Sequence, residues 1–525
     1  MEAYFARLSE SMTRSEEEAA ARQSGATAAS IGAAAVDHLN ETASVPARLA
    51  FLNSLAAQEA RRPGPRVALA TTTGADLLSM RRELLPWLQY HTALGVAHFY
   101  VLYDGQDAAA VAALEALHHV TVFHIHPPWA SAKEEALAAA RGMRSGSWTE
   151  RVGNYRLMAV QAYCESLALE TARRDGMDWM LHLDPDELFY PASPAFSIRQ
   201  ALAIVPSHVA SVRFLNHEGQ PEAMDLTNKY EQVTLFRRHK HWVTPEAHVY
   251  RSRLRLGGAD TFLLLYANGK AAVRVDAPGV RSAGPHFFDG DASPRWRTAT
   301  NPTGAFSTLV SDAHAILHYV YSYVSDVRDR ARRSCPPAYL TAVRAGDTSS
   351  LADCLIIPAD REAFVAAAQG EEQARKFFAA RMVLSEGSRI RCRGRTKPAP
   401  LDGEEAGGMD VRLVHQQEPV GSAPQDRVGT QRRRAQAAEE GEAVEGWCTL
   451  HDIDRFKYLT VKLGLYERIA APSVLLKSHE REIQQFWLGR EAGEEGRGGS
   501  QGVPPQTKTR EVEEILQGRE AGLLL

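Results

Sequence analysis

The chain has 525 residues, 44% of them hydrophobic, enough to bury one large catalytic domain or two ordinary ones. With 60 basic and 64 acidic residues the net charge is −4, which argues against nucleic acid or an anionic membrane surface as a general partner. Five cysteines, none in a C-x-x-C pair, exclude a zinc ribbon, a thioredoxin-type site and a disulfide framework, and leave room for a single bridge.

The first 25 residues mix acids and bases without an apolar core of signal-peptide type. No run of about 18 apolar residues follows, so no membrane-spanning helix is expected. Read as written, the chain is expected to be soluble; an anchor lost with a missing first exon would leave the same picture. Residues 1–65 are Ala-rich, with helix expected over Ala47–Ala60, and Arg61-Arg-Pro-Gly-Pro65 marks an expected boundary.

From Arg66 the texture changes. Val67–Thr73 reads as a buried strand, Leu77–Leu94 as a helix and Ala97–Tyr103 as a second strand stopped by Asp104-Gly105. Ala108–Leu117 reads as a helix and Val120–Ile125 as a third strand. This β-α-β-α-β order predicts a parallel sheet with helices on its faces, and ligands at the carboxyl ends of its strands. Thr71, Thr73 and Asp104 lie at such ends. Arg156–Arg174 reads as a long helix, and Trp179–Leu183 as a strand delivering Asp184-Pro-Asp-Glu187 at its carboxyl end.

Further strands are expected at Val209–Leu215, Gln232–Phe236, Val243–Tyr250 and Phe262–Leu265. Helices are expected at Asp312–Ser325 and Arg361–Val383. The organisation expected is therefore an α/β domain at 66–330, a helical extension at 331–385, and a mostly disordered tail at 386–525 with a small ordered island at 447–488.

Asp184 and Asp186 are the first candidate site. Two carboxylates one residue apart, after a buried strand, can face one hard cation such as Mn²⁺ or Mg²⁺, which takes oxygen ligands and keeps places for phosphate. Such an ion neutralises a departing diphosphate. The bland alternative is a solvated, capping turn. A phosphatase of the haloacid-dehalogenase type also carries strand-D-x-D, but here Leu188 stands where that motif takes Thr or Val, and its downstream acidic motif is missing.

Trp87-Leu-Gln-Tyr-His91 with Leu94 to Asp104, then Trp179 to Pro191, then His318-Tyr319, resemble in this order the family 92 glycosyltransferases and the related family-2-like group. The similarity spans roughly residues 66–330. It implies a GT-A-like, Rossmann-type mixed sheet flanked by helices. It further implies a nucleotide-sugar donor, UDP-linked, a glycan or glycoconjugate acceptor, inverting transfer of a hexose, and work along the Golgi or secretory route. One departure stands out: Thr73-Gly-Ala75 occupies the place of a Lys-Asn-Glu-like run, which weakens the expected first-strand contacts to the nucleotide and favours a non-catalytic binding or scaffold protein as the alternative.

On that reading Asp184, Asp186 and His318 hold the metal, with His286 as rival third ligand, and Thr71, Thr73, Asp104 and Asp184 contact the donor. Glu218 is the first candidate for the acceptor-activating base and Glu187 the second. The basic run Arg237-Arg-His-Lys-His-Trp242 is expected to be an exposed loop.

Overall fold

The computed structural model describes residues 45–124, 155–193, 196–244, 267–335, 357–386 and 453–495, with a few short stretches between them. Four strands form its parallel core: β1 (Val67–Thr73), β2 (His98–Tyr103), β3 (Val120–His124) and β4 (Trp179–His182), in the spatial order β3-β2-β1-β4. Residues Val67–Ala70 of β1 are fully buried. A strand covered on both faces has no polar side to alternate with, hence its continuous apolar run.

Helices cover both faces. Val67 and Leu69 pack with α1 (Val45–Glu59), α2 (Leu85–Ala93) and α3 (Ala108–Glu115). Ala68 and Ala70 point the other way, against Ala168, Leu169 and Ala172 of α4 (Tyr155–Arg174). Because Leu49 and Leu52 of α1 join that core, Arg61–Pro65 is a turn into β1 within one packed unit. The helix expected from Leu77 begins with one turn and a π-helical turn at Met80–Leu84 before α2.

Beyond β4 the sheet becomes mixed. β5 (Glu187–Tyr190), β6 (Ser211–Gly219), β7 (Leu235–Arg237) and the two-residue β8 (Leu254–Arg255) are followed by β9 (Lys270–Arg274), antiparallel to both β4 and β6. A small hairpin, β10 (Arg281–Ser282) with β11 (Phe288–Asp289), precedes β12 (Thr308–His318), which runs parallel to β6 and antiparallel to β5. The architecture is thus the mixed sheet flanked by helices expected from the sequence. Of the strands expected at Val243–Tyr250 and Phe262–Leu265, most lies outside the described residues.

Two elements differ from the expectation. Asp312–Ser325 is not a helix: it supplies the end of β12, and helix α5 starts only at Val324 and runs to Ser334. Ala315–Tyr319 is buried without interruption between β5 and β6, and an apolar run of that kind has no periodicity to tell strand from helix. Residues 361–383 form two helices, α6 (Pro358–Ala368) and α7 (Glu371–Arg381), broken at Gly370, whose φ of 115° no helix accommodates.

Past Ser385, β13 (Arg389–Gly394) pairs antiparallel with β14 (Val444–Thr449), Gly394 opposite Val444, and β13 also pairs β8. The region expected as an island joins the main sheet. β15 (Tyr466–Arg468) is antiparallel to β7, with Leu465 and Tyr466 buried. Arg468 and Lys457 both grip Glu222. α8 (Ala471–Glu495) returns to α1, where Ile483 packs on Ala47 and Phe51 and Arg48 pairs with Glu480. The rest of the expected tail lies outside the described residues. Cys335 is disulfide-bonded and Cys164 is a buried free thiol. Among the described residues no helix is long and apolar enough to cross a membrane.

Candidate functional site

The parallel strands β1, β2 and β4 end on one edge of the sheet. Asp184-Pro-Asp-Glu187 forms a tight turn there, closed by Glu187 N–H donating to the Asp184 carbonyl at 2.9 Å, with Pro185 in the position that its fixed φ suits. The Glu187 side chain locks the same turn from within by accepting from the Asp184 N–H at 2.9 Å. Tyr230 donates its hydroxyl proton to the Pro185 carbonyl, and Tyr319 N–H donates to the Asp186 carbonyl at 2.8 Å.

The Trp87 and His91 motif braces this turn from below. Trp87 Nε1 donates to the Glu187 carbonyl at 2.7 Å, and Tyr90 Oη to the Phe189 carbonyl at 2.9 Å. His91 Nε2 accepts from Phe189 N–H at 3.1 Å while Nδ1 donates to the Trp87 carbonyl at 2.9 Å. That tautomer is neutral, and burial pulls the imidazole down to about 3.

Asp184 and Asp186 face different partners. Asp184 Oδ2 receives the Lys270 ammonium at 2.8 Å and Oδ1 the Gln161 amide at 2.6 Å. Lys270 Nζ also lies 3.3 Å from Glu187 Oε2, and both of these side chains are fully buried. Burial, the largest influence, works against an ionised Asp184, but Lys270 and His182 together hold the carboxyl below its usual range. Burial also raises Glu187, to about 7, against the pull of Lys270. On the other side, Asp186 Oδ2 lies 3.8 Å from His318 Nε2 and 3.8 Å from Arg330 Nη1 of α5. Burial disfavours the charge on both members of the Asp186–His318 pair, yet each stabilises the other's charge: His318 is raised and Asp186 lowered.

The two rival histidines therefore sit on opposite flanks. His318 faces Asp186. His286 donates from Nδ1 to the Gly269 carbonyl at 2.8 Å, and burial followed by the Lys270 charge brings it down to about 3. Thr73 and Asp104 come together at the strand ends, where Asp104 N–H donates to the Thr73 carbonyl at 2.8 Å and the Asp104 side chain is exposed. Gly74 packs its backbone on that of Asp104, so the Thr73-Gly-Ala75 departure allows a close crossing of the two loops. Thr71 is buried two residues deeper along β1, its carbonyl accepting from the Cys164 thiol.

Both candidate bases are interior. Glu218 has no exposed surface and its Oε2 lies 3.4 Å from Arg237 Nη1; a carboxylate sealed in an ion pair does not meet an acceptor hydroxyl. Glu187 is sealed beside Lys270 and serves the turn. The expected exposed basic loop is likewise partly interior, since Arg237 and His239 are buried.

Sequence reasoning passed over Lys270, Gln161, Arg330 and the pair His182 and Glu165, joined at 3.1 Å beneath Asp184. Asn268-Gly-Lys270 carries a turn signature, but nothing local marks a lysine as one of the most buried charges in the fold.

No protein-family model matches the chain. Glycosyltransferase-like At2g41451 of Arabidopsis thaliana is 30% identical over 336 residues, covering 62% of this chain and 68% of that protein. The chain belongs to the glycosyltransferase-like proteins. A second member, glycosyltransferase-like At3g57200 of the same plant, is 28% identical over 316 residues, covering 59% of this chain and 56% of its own length. Among solved structures, this glycosyltransferase-like chain aligns with GalNAc-T7 with UDP, GalNAc and Mn²⁺ at 10% identity and TM-score 0.23, over 61% of this chain and 54% of the other. It aligns with mannosyltransferase PcManGT from Pyrobaculum calidifontis, in complex with GDP-Man and Mn²⁺, at 13% identity and TM-score 0.22, over 64% and 82%. Values this low carry no residue-level correspondence.

Proposed function

We propose that the protein is a metal-dependent glycosyltransferase that moves a hexose from a UDP-linked donor to a glycan hydroxyl with inversion, as the family 92 resemblance implies. The observation that carries the metal reading is the pairing of Asp186 with His318. Their facing atoms are 3.8 Å apart, held by backbone contacts on both sides. Asp186 and His318 would hold one small divalent cation there. Among the described residues no group of three or more His, Cys, Asp and Glu forms a metal cage. The donor set thus fits an ion that keeps most of its places for water and phosphate oxygens, as Mn²⁺ and Mg²⁺ do. When bound, such an ion neutralises the leaving diphosphate.

The chain's own residues supply the rest. Exposed Asp104 beside Thr73 accepts from a ribose hydroxyl or base N–H. Arg330, partly exposed next to Asp186, offers a guanidinium to phosphate oxygens. The turn fixed by Trp87, Tyr230 and Glu187 keeps Asp184 and Asp186 in place before the donor arrives, which is how positioning contributes to rate. A phosphatase reading loses its support here, because both oxygens of Asp184 are engaged and the carboxylate is not presented as a nucleophile. The disulfide at Cys335 supports work in an oxidising, secretory compartment.

The test is hydrolysis of a panel of nucleotide sugars with and without Mn²⁺. UDP-sugars should be cleaved with Mn²⁺ and not in chelator, and Asp186→Asn and His318→Ala should each lower the rate by roughly 100-fold or more. Equal activity in the Asp184→Asn/Asp186→Asn double variant sinks the assignment. Metal-dependent nucleotide binding without any turnover would instead identify a binding protein.

A further inference from the structure

Lys270 is the least expected residue of the site. It opens β9, directly after Gly269, and its ammonium is wholly buried between Asp184 and Glu187. Gly269 has φ 67°, and a Cβ there would stand 1.9 Å from the Phe214 carbonyl oxygen, so no other residue lets β9 begin this close to β6. Its N–H donates to Asn216 Oδ1 at 3.1 Å and its carbonyl accepts from His286. The backbone that carries Lys270 is therefore fixed on both sides. A buried ammonium is costly unless paired, and here a carboxylate at 2.8 Å pairs it.

This changes the sense of the D-x-D pair. Asp184 already has a resident cation on one oxygen and the Gln161 amide on the other, while Asp186 looks across to His318 and Arg330. We propose that Lys270 is a positioning residue that serves as the protein's own cation for Asp184, so that Asp184 orients the donor while the metal's protein ligands reduce to Asp186 and His318. The inference rests on the glycosyltransferase reading above. It predicts that the two aspartates are not equivalent. It also predicts that removing Lys270 frees a second carboxylate and leaves the site one charge more negative, which favours a divalent cation.

The test is Mn²⁺ binding by calorimetry to the full chain and to Asp184→Asn, Asp186→Asn, Lys270→Met and Lys270→Arg, with thermal unfolding run on each. Asp186→Asn should weaken Mn²⁺ at least tenfold, and Asp184→Asn should change it less than threefold. Lys270→Met should tighten Mn²⁺ severalfold while weakening UDP, with Lys270→Arg restoring part of the UDP affinity. A purely structural lysine would weaken both ligands together. Equal losses of Mn²⁺ in the two aspartate variants, or weaker Mn²⁺ in a folded Lys270→Met, overturn the proposal. If the unaltered chain binds no Mn²⁺, the metal reading fails by itself. The lysine is then judged on UDP binding in chelator, where a tenfold loss in Lys270→Met supports it and no change overturns it. Should Lys270→Met not fold, Lys270→Arg and the aspartate pair decide.

Discussion

Replacing Trp87 by Phe tests whether the W-x-x-x-H motif braces the D-x-D turn. Trp87 has no exposed surface, and its indole N–H is the 2.7 Å donor to the Glu187 carbonyl. Phe keeps the ring packing on His91 and Phe99, whose centroids lie at 4.5 and 5.6 Å, but leaves a buried carbonyl without its donor. Losing one partner of a buried hydrogen bond costs about 1–3 kcal/mol, and the smaller ring leaves a cavity worth about another 1 kcal/mol. The sum, about 2–4 kcal/mol, corresponds to a fall in Tm of roughly 3–6 °C for a packed unit of this size. Differential scanning calorimetry with and without Mn²⁺ is the assay. Metal should recover less stability in the variant than in the parent, because Glu187 closes the turn that carries Asp186. A drop under about 2 °C would refute the bracing argument.

Two other predictions follow from the ion pairs and the sheet edge. In chelator, the raised His318 stabilises the fold below its ordinary value of 6.5 and loses that contribution as pH rises through its folded value, while the lowered Asp186 contributes above 3.8 and loses it as pH falls. Urea unfolding should therefore show an alkaline decline that His318→Asn lacks, and Mn²⁺ affinity should climb with pH by up to about tenfold per unit as the imidazolium proton is expelled. Ending the chain after Thr449 removes β15 and α8, exposing the β7 edge and the α1 face; the product should aggregate or lose its cooperative melt, and a soluble, cooperatively melting protein would contradict the packing described for the C-terminal region.

The parallel half of the sheet was legible because each strand is an apolar run closed by a turn signal: Thr73-Gly74, Asp104-Gly105, Asp184-Pro185. β12 was not, because Ala315–Tyr319 is buried on all sides and carries no period. His318 is a candidate only through its resemblance to a family pattern, and it stands on a strand where a helix was expected. Glu218 shows the limit of reading carboxylates from sequence: whether a Glu meets substrate or an arginine depends on Arg237, a strand away. Lys270 was invisible for the converse reason. A lone lysine reads as surface, and only the convergence of β4, β5 and β9 makes it interior.

The pairing of β13 with β14 has a consequence for how this chain can vary. Gly394 and Val444 are cross-strand partners, so everything between them departs from and returns to a single point on the molecule. The entropy of closing a loop grows only with the logarithm of its length. An affinity handle inserted between Gly394 and Val444 is thus tethered at one point, and its length should change the cost of pairing β13 with β14 only slowly.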